Sequence, residues 1–136
     1  MTKDEFKKLK LMVEKSLKIT HDNVTDKTIS LSTLYANLIQ VYSKEVKILK
    51  TKFHDKEKIY GDLYHHYKFN FQFQLDTKAE VEAYIKADNK YYTAALEYVD
   101  QEIVVKFIEQ TLDHINNIGF RIKNYIDLKK MEKGLM

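Results

Sequence analysis

The sequence predicts a mainly α fold of long helices, with one short β-strand segment at about residues 68–75. Proline is absent and only three glycines occur, Gly61, Gly119 and Gly134, so little interrupts a helix. Apolar residues recur at three- and four-residue steps along most of the chain, the spacing that lines one helix face. Only Lys68-Phe69-Asn70-Phe71-Gln72-Phe73-Gln74-Leu75 alternates strictly, with the period of a strand.

Residues 2–18 read as a first helix. Thr2 and Glu5 match a capping box, which satisfies two otherwise unpaired N–H groups, and Phe6, Leu9, Val13 and Leu17 follow at helical spacing. Residues 20–28, rich in Thr, Asp and Asn, read as a loop. From about Ser30 to Tyr67 a stripe of Leu38, Tyr42, Leu49, Phe53, Tyr60, Leu63 and Tyr67 predicts a long helix, with charged gaps at Glu45 and Lys56. Such a helix would span roughly 54 Å at 1.5 Å per residue. It therefore projects, pairs with a neighbour, or splits near His54. The 68–75 strand needs a partner, either a weak strand at 26–31 or another subunit. Thr77 and Glu80 form a second capping box, opening a short helix to about Ala87. Asp88 is placed to cap the last long helix, whose stripe is Leu96, Val99, Ile103, Phe107, Thr111, Ile115, Ile118, Ile122 and Ile126. Gly119 either bends that helix or lets two helices approach closely.

A length of 136 residues is that of one ordinary domain. Its expected parts are a helical segment 1–67 with a basic face, the strand, and a helical segment 76–136 for oligomerisation. Without cysteine there is no disulfide framework, thiol nucleophile or thiolate metal site, and three glycines cannot build a phosphate-binding loop. No long apolar run and no signal-peptide core occur, so the chain reads as soluble and intracellular, with no membrane partner. The charge of +3 is uneven: residues 1–18, 43–58 and 120–136 each carry +3, and 76–102 carry −4.

Lys44, Lys47, Lys50, Lys52, Lys56 and Lys58 lie on the long helix, followed by Tyr60, Tyr64, His65, His66 and Tyr67. Cations beside stackable rings suit single-stranded nucleic acid, because cations neutralise phosphates and rings stack on unpaired bases. The alternative is a solvated lysine face over core tyrosines. His65 and His66 diverge around a helix, and Asp62 with His66 lacks a third ligand, so no metal site is expected. None of Ser16, Ser30, Ser32 and Ser43 has a nucleophile's setting. Glu80 and Glu82 sit in a helix's first turns, where carboxylates favour the macrodipole. Neither a catalytic residue nor a cofactor is expected. Ile115, Ile118, Phe120, Ile122 and Ile126 are either intrachain core or a subunit interface. The interface is favoured, because a long helix needs a partner along its whole apolar stripe.

Leu112-Asp113, Gly119-Phe120, Ile122-Lys123 and Glu132-Lys133-Gly134 resemble the UvsY recombination mediator proteins of T-even-like bacteriophages. The basic-then-tyrosine stretch at 58–67 and the Ala87-Asp88 junction fall in the family's order. Gly61-Asp62 stands where the family carries basic residues, which leaves Lys58 and the neighbouring lysines in that role. Met131 stands in place of an aromatic. The resemblance implies a non-enzymatic accessory factor in the cytoplasm of an infected bacterial host. Its implied partners are single-stranded DNA, the single-stranded-DNA-binding protein that coats it, and a RecA-like recombinase. It also implies a homo-oligomeric ring of about six or seven subunits, in which weak sites gain by avidity. The alternative is a helical adaptor that oligomerises and binds only protein, through the acidic 76–102 segment.

Overall fold

The computed structural model describes residues 1–18 and 24–134, the side chains of residues 24–27 excepted. Four α-helices run in chain order: α1 Lys3–Ser16, α2 Val24–His65, α3 Lys78–Ala87 and α4 Asn89–Glu132. A π-helical turn, His66–Asn70, follows α2 directly. Compact packing groups the chain into two units, residues 1–44 with 106–136, and residues 45–105. That division differs from the sequence division at residues 67 and 75, because α2 and α4 each give residues to both units. Among the described residues, no helix is long and apolar enough to cross a membrane.

The first unit contains α1, the beginning of α2 and the end of α4. α1 starts as its sequence dictates. Thr2 Oγ1 accepts from Glu5 N–H at 3.1 Å, and Glu5 Oε2 accepts from Thr2 N–H at 3.4 Å. Its apolar face buries Val13 and sets Leu9 and Leu17 against the core, while the Phe6 ring meets Phe107 edge-on at 5.5 Å. That core is Leu31, Leu34 and Leu38 of α2 against Ile115, Ile118 and Ile122 of α4. Full burial of each such side chain contributes about 1.5–3 kcal/mol. Tyr42 Oη donates to Glu109 Oε1 at 2.8 Å. Gly119 marks no close approach of a second helix, since a Cβ there would meet nothing within 4 Å. It lines a groove of about 460 Å³ with Leu31, Tyr35 and Ile115.

The second unit packs Leu63 of α2 and Leu75 against Val81 and Ile85 of α3, with Ile59, Tyr60, Tyr64, Tyr67, Phe71 and Tyr91 partly buried around them. α3 is capped by Thr77, whose Oγ1 accepts from Glu80 N–H at 3.2 Å. The reciprocal half of the expected box shifts by one residue, as Glu80 Oε2 accepts from Asp76 N–H at 3.0 Å. Asp88 ends α3 and caps α4, its Oδ1 accepting from Lys90 N–H at 2.9 Å, the geometry of an N-cap. Beneath the α2–α4 contact, Gln101 Nε2 donates to both the carbonyl and Oε2 of Glu45 at 2.9 Å. Both residues are buried.

Three expectations change. No strand exists among the described residues, and the 68–75 segment instead completes the π-turn and continues as non-helical chain. Its alternation finds no partner edge, and a lone strand cannot satisfy its own backbone. The packing takes Phe71 and Leu75 inward and leaves Phe69 and Phe73 exposed. The possible partner strand at 26–31 is helical, because α2 begins at Val24. The expected 20–28 loop is helical from Val24 onward, and its residues 20–23 lie outside the described residues. Finally, of the alternatives for the long helix the split near His54 drops out, since α2 runs as a single helix through that residue.

Candidate nucleic-acid interface

In the second unit, α2 carries Lys47, Lys50, His54, Lys58 and His65 at steps of three, four, four and seven residues. That spacing places them on one helix face, and all five are exposed. They face outward because Glu45, Leu49, Lys56, Tyr60 and Leu63 occupy the opposite, packed face. The remaining predicted lysines separate from this stripe. Lys52 Nζ lies 3.2 Å from Glu97 Oε2. Lys56 Nζ sits 4.6 Å above the Tyr98 ring and 3.9 Å from Glu57 Oε1. Lys44 is exposed on the part of α2 that belongs to the first unit. Asp55, Glu57 and Asp62 are also exposed on α2, so the field along it is modest.

The tyrosines take the structural role. Tyr60, Tyr64 and Tyr67 are half-buried around the second core. Tyr67 Oη donates to Asp88 Oδ2 at 2.7 Å, and Tyr60 Oη to Glu82 Oε1 at 3.4 Å. The hydrogen bond to Asp88, with burial second, raises the Tyr67 phenol above its ordinary pKa. Burial leads the same upward shift at Tyr60, ahead of the Glu82 charge. Both hydroxyls are therefore protonated donors at neutral pH, committed to carboxylates. Of the predicted rings, the tyrosines are half-buried and His65 and His66 are exposed, with the His65 ring centroid 5.1 Å from that of Phe69.

Rings absent from the sequence-derived set lie at the surface nearby: Phe69 at 69% exposure, Phe73 at 58% and Tyr84 at 42%. The alternating pattern disguised the two phenylalanines as strand residues. His54 was discoverable, being four residues from both Lys50 and Lys58.

The residues expected at a subunit interface divide in two. Ile115, Ile118 and Ile122 close the intrachain core of the first unit, whereas Phe120 and Ile126 remain exposed. In the second unit the expected stripe residues Leu96, Val99 and Ile103 also face solvent, with Tyr92 on the same side of α4. Among the described residues no group of three or more metal-ligating side chains assembles.

Comparison with known proteins gives one family. The profile described as recombination, repair and ssDNA binding protein UvsY matches residues 12–135. Crystal structures of the bacteriophage T4 recombination mediator protein UvsY share this fold. Lattice type IV superposes with a TM-score of 0.79 at 19% identity, covering 93% of this chain and 98% of that one. Lattice type II gives 0.79 at 20% identity over 98% of each chain. No curated protein sequence matches.

Proposed function

Because the chain belongs to the UvsY family of recombination, repair and single-stranded-DNA-binding proteins, we propose that it is a phage recombination mediator. In this reading it binds single-stranded DNA and helps load a RecA-like recombinase onto DNA coated by single-strand-binding protein. It would thereby serve homologous recombination, recombination-dependent replication and repair. The observation that carries the DNA-binding step is the exposed stripe Lys47, Lys50, His54, Lys58 and His65 on one face of α2. Each lysine that meets a phosphate displaces a condensed counterion, so association is driven largely by ion release. Three lysines bind weakly, and several copies acting on one strand raise the affinity by effective concentration. Self-association is supported by apolar surface the chain does not cover itself: Leu96, Val99 and Ile103 on α4, and Phe120 and Ile126 further along it. An assembly that holds the strand in a curved path would draw it from the coating protein and present it to the recombinase, with binding as the energy source.

The protein-only adaptor reading is less well supported. Its acidic segment has Glu82, Asp88 and Glu97 bonded internally to Tyr60, Tyr67 and Lys52.

The test is light-scattering mass with and without a long oligo-dT, at low and high salt. A particle several times 16.2 kDa that takes up DNA at low salt and releases it at high salt agrees with the reading. Lys47→Ala and Lys58→Ala should each flatten the dependence of log affinity on log salt by about 0.7. A monomer indifferent to DNA would overturn the proposal.

A further inference from the structure

Five rings, His66, Tyr67, Phe71, Phe73 and Tyr84, form a connected set at the turn between α2 and α3, and His65 and Phe69 form a separate pair in the same turn. Tyr67 is its hub, with ring centroids 5.0 Å from those of His66 and Phe71, and 5.5 Å from that of Tyr84. Phe71 in turn holds Phe73 at 5.7 Å, and His65 holds Phe69 at 5.1 Å. The hub is fixed to the start of α4 by the Tyr67–Asp88 hydrogen bond. These contacts restrain Phe73 through Phe71, and Phe69 through His65, before any ligand arrives. Phe69 and Phe73 are themselves 69% and 58% exposed to water. Burial within the chain does not account for them.

We infer that Phe69 and Phe73 form a stacking platform for unpaired bases of single-stranded DNA, adjoining the cationic face of α2. This inference rests on the DNA-binding reading above and specifies the non-electrostatic part of that site. Three features select bases over an apolar protein surface. Exposed Asn70, Gln72 and Gln74 alternate with the phenylalanines, so the rings are separated rather than merged into the contiguous patch a protein interface needs. A base needs only one ring face, and stacking on it is indifferent to sequence. From Leu63 to Leu75 there is no carboxylate, while Lys68 and two histidines are present, so a phosphate backbone meets no repulsion from this segment. Of the acids around the segment, Glu82 and Asp88 are engaged by Tyr60 and Tyr67, and Glu80 accepts from the Asp76 N–H. The Asp62 and Asp76 side chains at its two ends are exposed. His65 lies on the lysine stripe and against Phe69, which joins the two parts of the site through one side chain.

Stacking and ion release separate experimentally, because only the second depends on salt. The full-length protein, Phe69→Ala and Phe73→Ala are titrated with fluorescent oligo-dT at several salt concentrations, with circular dichroism confirming the fold. Each alanine variant should bind roughly tenfold more weakly at every salt concentration, with an unchanged salt slope. Phe73→Trp should restore affinity, and its fluorescence should be quenched by oligo-dT. Parent-like affinity in both alanine variants, with the parent binding DNA, would overturn the platform and leave the lysine site standing. Failure of the parent to bind oligo-dT would overturn both. Alanine variants that lose light-scattering mass while keeping DNA affinity would overturn the platform in favour of contact between copies.

Discussion

Replacing Tyr67 by Phe removes a single oxygen and leaves the ring contacts to His66, Phe71 and Tyr84 in place. What disappears is the 2.7 Å hydrogen bond to Asp88 Oδ2, at the residue whose other oxygen caps α4. A hydrogen bond to a charged acceptor contributes about 1.5–3 kcal/mol when buried, and with both partners partly exposed about 1–2 kcal/mol is expected. For a chain of this size that corresponds to a fall in Tm of roughly 3–8 °C at pH 7. The pH dependence gives the sharper check. Asp88 titrates below its ordinary 3.8, chiefly because Tyr67 donates to it, with burial opposing and the Lys90 backbone N–H assisting. A depressed carboxyl contributes stability above its unfolded pKa and loses it as pH falls through the folded one. Tyr67 titrates above its ordinary 10.0, so its share is complete below that value and is lost as pH rises through the raised one. The difference in Tm between parent and Tyr67→Phe should thus be flat from about pH 5 to 9 and close on both sides. Thermal melts by circular dichroism across pH 2.5–10.5 would measure it. An unchanged Tm at pH 7, or an equal deficit at pH 3, would refute the assignment.

Gly61 sits inside α2 on its solvent face, where an added Cβ meets nothing within 4 Å; Gly61→Ala should stabilise the protein by about 0.5–1 kcal/mol, read from the midpoint of a urea melt. Ile85 is fully buried in the second core, and Ile85→Ala should cost about 2–5 kcal/mol; a loss below 1 kcal/mol would show that this cluster is not a packed core. Gln101→Leu removes the donor facing Glu45 and should cost about 1–3 kcal/mol. The double variant with Glu45→Leu should cost less than the two single losses combined, since the two side chains bond to each other and each single change already removes that bond. Additive losses would deny the coupling.

Local chemistry was the most legible part of the sequence. The Thr2–Glu5 and Thr77–Glu80 signatures and the Asp88 cap involve neighbours within four residues, so their bonds form wherever the helix starts. Helix existence was equally legible, because no proline interrupts the periodicity. What the sequence hid depended on partners distant along the chain. Phe69, Phe71 and Phe73 alternate like a strand, and whether a strand forms is decided by the presence of a second edge. Here Tyr67 and Tyr84 supply ring contacts to Phe71, and Leu75 packs into the core with Val81 and Ile85. The lysines resembled one basic run. Only the position of α4 determines that Lys52 meets Glu97 and Lys56 lies over Tyr98, while Lys47, Lys50 and Lys58 stay free of such contacts in the pattern that favours an anion.

The misplaced stripe on α4 has one identifiable cause. Hydropathy assigns Gln101 to solvent and Ile103 to the core, yet Gln101 is buried and Ile103 is exposed. The same inversion occurs on α2, where Glu45 read as a charged gap in the apolar stripe and is among the most buried side chains of the chain. These two residues bond to each other, so a single polar contact misleads the periodicity on both helices at once. Gln101 stands opposite Glu45 in one register of α2 against α4, so their hydrogen bonds favour that register. With that face fixed inward, Leu96, Val99 and Ile103 must turn outward, since they lie on the opposite side of the same helical turns. Their exposure follows from the buried pair. An apolar stripe held in water in this way has physical reason to be covered by another molecule.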